Sequence, residues 1–237
     1  MKLTILGNNG PYPAPGGACS GYLLESDSGE TRLLIDCGTG VLANLLAVCP
    51  PKALSAVILT HLHFDHMSDM LPMQYALQFD PRPTPLPVYA PEAPELARAT
   101  LKGPFYDLWT PQDTTIGEMR VSFVPARHPV PTNAVCVQCD GAKFVFTGDS
   151  NTDPIVELFC DRADLLLADC GLSNADYAPA KPHYSAGLCG VLARQTRAKH
   201  LLLTHFNPKY DPATLLDEAR AEYPAAEIAE IGASYYI

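Results

Sequence analysis

The chain has 237 residues, of which 47% are hydrophobic and 18% charged, a composition typical of a globular protein and not of a disordered or fibrous one. Its net charge of −10 argues against a long nucleic acid as a partner, because proteins that wrap nucleic acid carry a basic stripe. No stretch approaches the roughly 20 apolar residues that cross a bilayer, so no membrane partner is expected. With no secretory segment and no linker in view, we expect one cytoplasmic domain over residues 1–237.

Short apolar strands alternate with helical stretches in the first half of the chain, a pattern that indicates a layered α/β fold. The first helix has Leu42, Leu45 and Leu46 on one face, and it ends at Pro50-Pro51 because proline cannot continue it. The predicted strands cover residues 2–6, 21–25, 32–35, 56–60 and 88–90. The predicted helices cover residues 41–48, 68–78 and 94–101, and a proline-rich loop covers residues 79–87.

The second half predicts strands over residues 118–124, 134–139, 143–147, 165–168 and 200–204, and a helix over 185–197. Asp140-Gly141 separates two apolar runs, which predicts a two-residue hairpin. The eight cysteines lie mostly in apolar runs, and we expect reduced thiols in the core. Cys136 and Cys139 form a CxxC pattern, but in a strand these positions face opposite sides, which argues against a shared metal.

Three of the seven histidines fall within six residues, in the segment HLHFDH over residues 61–66. In an extended loop, His61 and His63 project to the same side. Asp65 and His66 follow where the chain turns into a helix, so they can project toward a second point. Neutral imidazoles suit zinc and similar first-row ions, and a carboxylate adds charge and bridging capacity. The segment therefore predicts a metal site.

Further candidate ligands follow the ends of other apolar strands. Asp149 comes after the strand over 143–147 and His205 after the strand over 200–204, as His61 comes after the strand over 56–60. His128 precedes a proline in a separate loop. Loops at strand ends on a rigid sheet are where polar side chains converge. Each residue alone is a weak signal, but together they predict a site of five histidines and two aspartates.

These residues resemble the motifs of the metallo-β-lactamase superfamily, and the resemblance runs over essentially the whole chain. The matching segments are ILG at 5–7, IDCG at 35–38, the HxHxDH signature at 61–66, and His128, Asp149 and His205 as the third, fourth and fifth motifs. The resemblance implies an α/β fold that is a four-layer αββα sandwich, with the site at one edge of its two sheets.

The resemblance also implies two divalent metal ions, with zinc expected and manganese, iron, nickel or cobalt as alternatives. The ligands that it implies are His61, His63 and His128 for one metal, Asp65, His66 and His205 for the other, and Asp149 as the bridge. Asp36 would orient a ligand histidine. In the mechanism that it implies, a hydroxide bridging the metals attacks the substrate, and Asp65 accepts a proton while it ligates.

Two further residues resemble the branch that contains ribonuclease Z and compact cyclic phosphodiesterases. His183 lies just before the helix over 185–197, and Asp169 follows the strand over 165–168. That branch has a histidine in the first place and a glutamate in the second, so Asp169 is one methylene shorter than its pattern. A leaving alkoxide needs a proton donor, and histidine is the side chain best suited to that near neutral pH.

The resemblance therefore predicts a hydrolase that acts on a small or cyclic phosphodiester. Only 20 residues separate His128 from Asp149, which leaves no room for the tRNA-clamping arm of long-arm ribonuclease Z. Two alternatives stay open: a lactonase or other ester or lactam hydrolase on the same metals, and a nucleotide-binding module with low turnover. A redox di-iron site fits worse, because such sites have glutamate at the place of His63. A homodimer also stays open, since relatives are often dimers.

Overall fold

Fourteen strands form two seven-stranded sheets in the computed structural model, which describes residues 1–237. The strands are β1 (Lys2–Gly7), β2 (Gly21–Glu25), β3 (Arg32–Ile35), β4 (Ala56–Ile58), β5 (Leu86–Tyr89), β6 (Tyr106–Trp109), β7 (Thr114–Ile116), β8 (Met119–Ala126), β9 (Thr132–Cys139), β10 (Ala142–Phe146), β11 (Leu165–Asp169), β12 (His200–Thr204), β13 (Ala226–Ile228) and β14 (Ser234–Tyr236). The first sheet has the order β14-β1-β2-β3-β4-β5-β6, and the second has the order β13-β12-β11-β10-β9-β8-β7.

Seven α-helices cover the outer faces of the sheets, and none is long and apolar enough to span a membrane. The helices are α1 (Val41–Leu46), α2 (Phe64–Met67), α3 (Met70–Phe79), α4 (Glu95–Ala99), α5 (Pro154–Phe159), α6 (Ala186–Thr196) and α7 (Pro212–Arg220), and a 3₁₀ turn covers Pro51–Ala53.

Three apolar clusters hold the layers together, and strand alternation assigns residues to them. In β3, Leu33 and Ile35 face the second sheet, whereas Leu34 between them faces the helices on the first. The central cluster joins the two sheets, and Tyr22 meets Phe146 across it with ring centroids 4.9 Å apart. The outer clusters pack helices on each sheet. The order of layers is helix, sheet, sheet, helix, which confirms the predicted αββα sandwich.

Parallel pairing brings several strand ends to one edge of the sandwich. In the first sheet β3 and β4 run parallel, and in the second sheet β10, β11 and β12 run parallel to one another. Each strand continues at its carboxyl end into a candidate ligand or into a carboxylate, Asp36 or Asp169, that contacts a histidine of the site. The sheets therefore present polar side chains from distant parts of the chain at one place.

The structure confirms the hairpin and the separation of the two cysteines. Asp140 and Gly141 have φ of 51° and 83°, as a type I′ turn requires, and they join β9 to β10. Cys136 lies in the cluster under the helices, whereas Cys139 lies between the sheets, so they cannot share a metal. All eight cysteines are buried and free.

Several predicted boundaries were wrong, including those of a helix, a strand and a loop in the first half of the chain. The helix predicted over residues 68–78 covers Met70–Phe79, and it starts at Met70 because Pro72, which lacks an N–H, fits only the first turn of a helix. The short helix α2, which precedes it, was not predicted. The strand predicted over 56–60 ends at Ile58, since the N–H of Thr60 donates to the Asp36 carboxylate instead. The loop predicted over 79–87 ends early, because β5 begins at Leu86.

Several elements were not predicted, and two of them carry a local signal. α5 and α7 each start at an Asp-Pro pair, in which Asp153 or Asp211 accepts an N–H of the first turn. β6 was also not predicted. Its Tyr106 is buried and donates to the Met70 carbonyl, which joins this strand to α3. The short strands β7, β13 and β14 lack a clear periodic signal.

Candidate metal centre

Three imidazole nitrogens converge beyond β4. Nε2 of His61 lies 2.9 Å from Nδ1 of His63, and Nε2 of His128 lies 3.2 Å from the same atom. Burial lowers the pKa of all three histidines, so they are neutral and carry free lone pairs. Three lone pairs that point at one spot suit a single cation such as zinc, which takes nitrogen ligands tetrahedrally.

A second cluster joins two carboxylates to two imidazoles. Nε2 of His205 lies 3.2 Å from Oδ2 of both Asp65 and Asp149. Nε2 of His66 lies 3.3 Å from Oδ2 of Asp149 and 3.5 Å from Oδ2 of Asp65. All four residues are buried. Nε2 of His66 is buried and has no hydrogen-bond partner, which is consistent with a role as a metal ligand.

Asp149 lies between the two clusters. Its Oδ2 is 3.8 Å from Nε2 of His61, a member of the first cluster, and its Oδ1 is buried without a hydrogen-bond partner. Burial raises the pKa of this carboxyl, but His205 and His66 outweigh it and hold the pKa well below its usual range. An ionised carboxylate between two groups of ligands has the position and the charge that a bridge requires.

The buried Asp36 carboxylate orients a histidine of each cluster. Its Oδ2 accepts from Nδ1 of His66 at 2.8 Å, and its Oδ1 accepts from the Thr60 N–H at 2.8 Å. The Thr60 hydroxyl donates to Asp36 and lies 3.1 Å from Nδ1 of His61, so it can accept the proton there. These contacts leave Nε2 of both imidazoles free for metals. The link through Thr60 was not predicted from the sequence.

Asp169 has a similar place on the second sheet. It accepts from Nδ1 of His183 at 2.8 Å and from the N–H groups of Ser150 and Gly171 at 3.0 Å. Its Oδ1 also lies 3.3 Å from Nδ1 of His205. Asp169 lies near Asp149 and the two histidines, but its oxygens are already occupied, which disfavours a role as a metal ligand.

His183 lies beside the clusters and belongs to neither of the two sets of converging ligands. Its ring stacks on His205 with centroids 5.0 Å apart, and 18% of its side chain is exposed. Burial lowers its pKa, but the ion pair with Asp169 outweighs burial and raises the pKa above the usual value. The structure therefore brings His183 and Asp169 together as a pair at the mouth of the site.

Two glycines let the backbone approach the site closely. A Cβ on Gly10 would lie 1.9 Å from Nε2 of His205, and a Cβ on Gly38 would lie 1.8 Å from the Asp65 carbonyl oxygen. Any side chain at either position would displace a candidate ligand or its backbone. Gly10 was not predicted as a site residue, and its only local signal is a loop rich in glycine and proline after β1.

Comparisons with known proteins agree with this geometry. A family model described as the beta-lactamase superfamily domain matches residues 31–206. The probable metallo-hydrolase YhfI of Bacillus subtilis is 33% identical over 215 residues, which are 86% of each chain. The crystal structure of YhfI matches this fold with a TM-score of 0.92 and covers 99% of this chain and 98% of that one. A ribonuclease Z of Mycobacterium bovis is 34% identical, covering 90% of this chain and 88% of the relative. The short form of human tRNase Z has the same fold, with a TM-score of 0.81 at 22% identity over 100% of this chain and 99% of that one.

Replacing Asp36 by asparagine should weaken metal binding by about 10- to 100-fold, because the amide NH₂ would face the N–H of His66. Competition with a chromophoric chelator measures the affinity. Asp107→Asn is the matched control, since Asp107 is exposed and its carboxylate accepts a hydrogen bond only from Trp109. Equal affinity in the Asp36 variant and the parent would contradict the orienting role.

Metal binding should release protons. Burial lowers the pKa of His66 and His205, but the surrounding carboxylates outweigh burial and raise both well above the usual value. Both imidazoles are therefore protonated near neutral pH until a metal takes Nε2, so metal affinity should fall as pH falls. Titration calorimetry in two buffers of different ionisation enthalpy should show release of about one proton or more per chain. Heats that do not depend on the buffer would rule this out.

Proposed function

The chain belongs to the metallo-β-lactamase superfamily and is a metallo-hydrolase, and from that membership we propose that it hydrolyses a small or cyclic phosphodiester. One observation supports the phosphodiester most. His183 lies beside the two ligand clusters, is held by Asp169 at 2.8 Å, and is left free to act on a substrate. The similarity to ribonuclease Z of Mycobacterium bovis is compatible with this chemistry.

We propose that two divalent ions bind at the converging ligands, with zinc as the resident metal. Three nitrogens in one cluster and a mixed set of nitrogen and carboxylate oxygen in the other are donors that zinc accepts. When bound, such a metal pair lowers the pKa of water and neutralises charge on a phosphoryl oxygen. The residues that would hold the ions are His61, His63 and His128, then Asp65, His66 and His205, with Asp149 between them.

His183 supplies the proton that the leaving group needs. When the P–O bond breaks, the electron pair stays on the departing oxygen, and the imidazolium gives this alkoxide a proton from its ring. Asp169 holds Nδ1 of His183 and stabilises the protonated ring, which directs the opposite edge of the ring, with Nε2, away from the carboxylate. Asp169 is thus a positioning residue.

Asp65 is better suited to holding a metal than to accepting a proton. Burial raises its pKa, but His66 and His205 outweigh burial and hold the pKa far below the usual range. A carboxylate with so low a pKa is a weak base. We therefore assign Asp65 to metal binding, and its low pKa disfavours the second role as a proton acceptor.

The proposed substrate is small because the site has no clamp for a long polyanion. The connection from His128 to Asp149 consists of β9, β10 and a two-residue turn, with no inserted arm. The net charge of −10 would also repel a nucleic acid from the surface that surrounds the metal site. A small diester needs only the local positive field that bound ions create.

A substrate panel tests the proposed function. The metal-loaded protein should turn over bis-p-nitrophenyl phosphate and a cyclic mononucleotide faster than simple lactones, measured as kcat/KM. A chelator should abolish the activity, and added zinc should restore it. Faster turnover of the lactones would favour the esterase alternative, and tight nucleotide binding without product would favour a binding module.

Replacing His183 by alanine should lower kcat for a cyclic mononucleotide by about 10²- to 10⁴-fold, because its alkoxide leaving group needs a proton. Turnover of bis-p-nitrophenyl phosphate should fall much less, since p-nitrophenolate is a weak base that leaves without one. Metal content should not change. His200→Ala is the matched control, because His200 is exposed at the start of β12. Equal losses on both substrates, or loss of metal, would contradict the role as proton donor.

A further inference from the structure

A pocket of about 190 Å³ opens beside His128. Its walls come from two loops, the one that follows β8 and the one that precedes α6. The lining residues are Arg127, His128, Pro129, Ala180, Lys181 and Pro182. His128 therefore belongs both to the candidate metal centre and to the wall of this pocket, so the two spaces adjoin.

The pocket carries two positive charges and no carboxylate. Arg127 donates to the Pro179 carbonyl at 3.0 Å, and Lys181 donates to the Asp176 carbonyl, so neither cation is held in an ion pair. The Asp176 carboxylate is occupied by Lys209 and the Tyr210 hydroxyl. Lys181 is close enough to the Asp176 carboxylate to help lower its pKa, but the lining itself holds an arginine and a lysine and no acidic residue. In a chain with a net charge of −10, such a lining favours an anionic ligand.

Buried contacts tie both walls of the pocket to the metal centre. The buried Asn151 amide donates to the Lys181 carbonyl at 2.6 Å, and its backbone N–H donates to the Arg127 carbonyl at 3.3 Å. The Arg127 N–H donates to the Ser150 hydroxyl at 3.2 Å. Ser150 and Asn151 directly follow Asp149, so the segment that carries the candidate bridging carboxylate also holds the backbone of Arg127 and Lys181.

We propose that this pocket, the anion subsite, binds a second phosphate group of the substrate, separate from the phosphodiester that is cleaved. The inference rests on the proposed function, because it takes the scissile diester to lie on the metals. A guanidinium and an ammonium together match a phosphate monoester, which carries close to two negative charges and three acceptor oxygens. The preferred substrate is then a phosphodiester that also bears a terminal phosphate.

Binding of two nucleotides that differ by one phosphate tests the anion subsite. Titration calorimetry on the zinc-loaded protein compares thymidine 5′-phosphate with thymidine 3′,5′-bisphosphate. The bisphosphate should bind about tenfold more tightly at low salt, and the advantage should shrink as salt is added. The doubly substituted Arg127→Gln and Lys181→Gln protein should bind both nucleotides equally, with unchanged metal content.

The matched control is the Arg120→Gln and Lys102→Gln protein, which loses the same charge at exposed positions outside the pocket. It should keep the preference for the bisphosphate. Equal binding of the two nucleotides by the parent, or a preference that survives the pocket substitutions, would overturn the anion subsite. Since binding is read without turnover, failure of the phosphodiesterase proposal is detected separately, by the lack of product from diester substrates.

Discussion

Three fully buried imidazoles, two half-buried ones and two buried carboxylates meet at one edge of the two sheets, and this is tolerated only when their charges and lone pairs are compensated. His61, His66, Asp149 and His205 are almost completely excluded from solvent. An unpaired buried polar group costs free energy, and a buried unpaired charge costs more. Two cations at the points where the ligand atoms converge would satisfy both demands. The rest of the site follows from this constraint.

Each sheet contributes one buried carboxylate that orients the histidines. Asp36 follows β3 of the first sheet and holds His66 directly and His61 through Thr60. Asp169 ends β11 of the second sheet and contacts His183 and His205. The same type of contact thus serves two purposes. Asp36 orients histidines for metal binding, whereas Asp169 also orients His183, which we propose as the proton donor. The geometry of both depends on the sheets lying face to face.

The protein is acidic as a whole, but its candidate site would be positively charged once metal ions bind. The net charge of −10 disfavours binding of long polyanions. Divalent ions bound by the ligands at the sheet edge would supply a local positive charge. The anion subsite extends this local field with Arg127 and Lys181 beside His128. A small, multiply phosphorylated substrate would be attracted by the bound metal ions and by the anion subsite. Selectivity for size and charge then needs no additional domain.

The sequence by itself determined a layered α/β fold and the candidate ligands, because both depend on local signals, and its resemblance to the superfamily implied the αββα order of layers. Strand periodicity assigned most of the sheet residues, the Asp140-Gly141 pair specified a hairpin, and the HLHFDH segment concentrates metal-binding groups within six residues. Only the tertiary structure decided what joins these groups. The contact of Gly10 with His205, the link from Asp36 through Thr60 to His61, and the meeting of Arg127 with Lys181 bring together residues from separate segments. Such contacts arise from strand register and loop packing, which no local pattern of residues encodes.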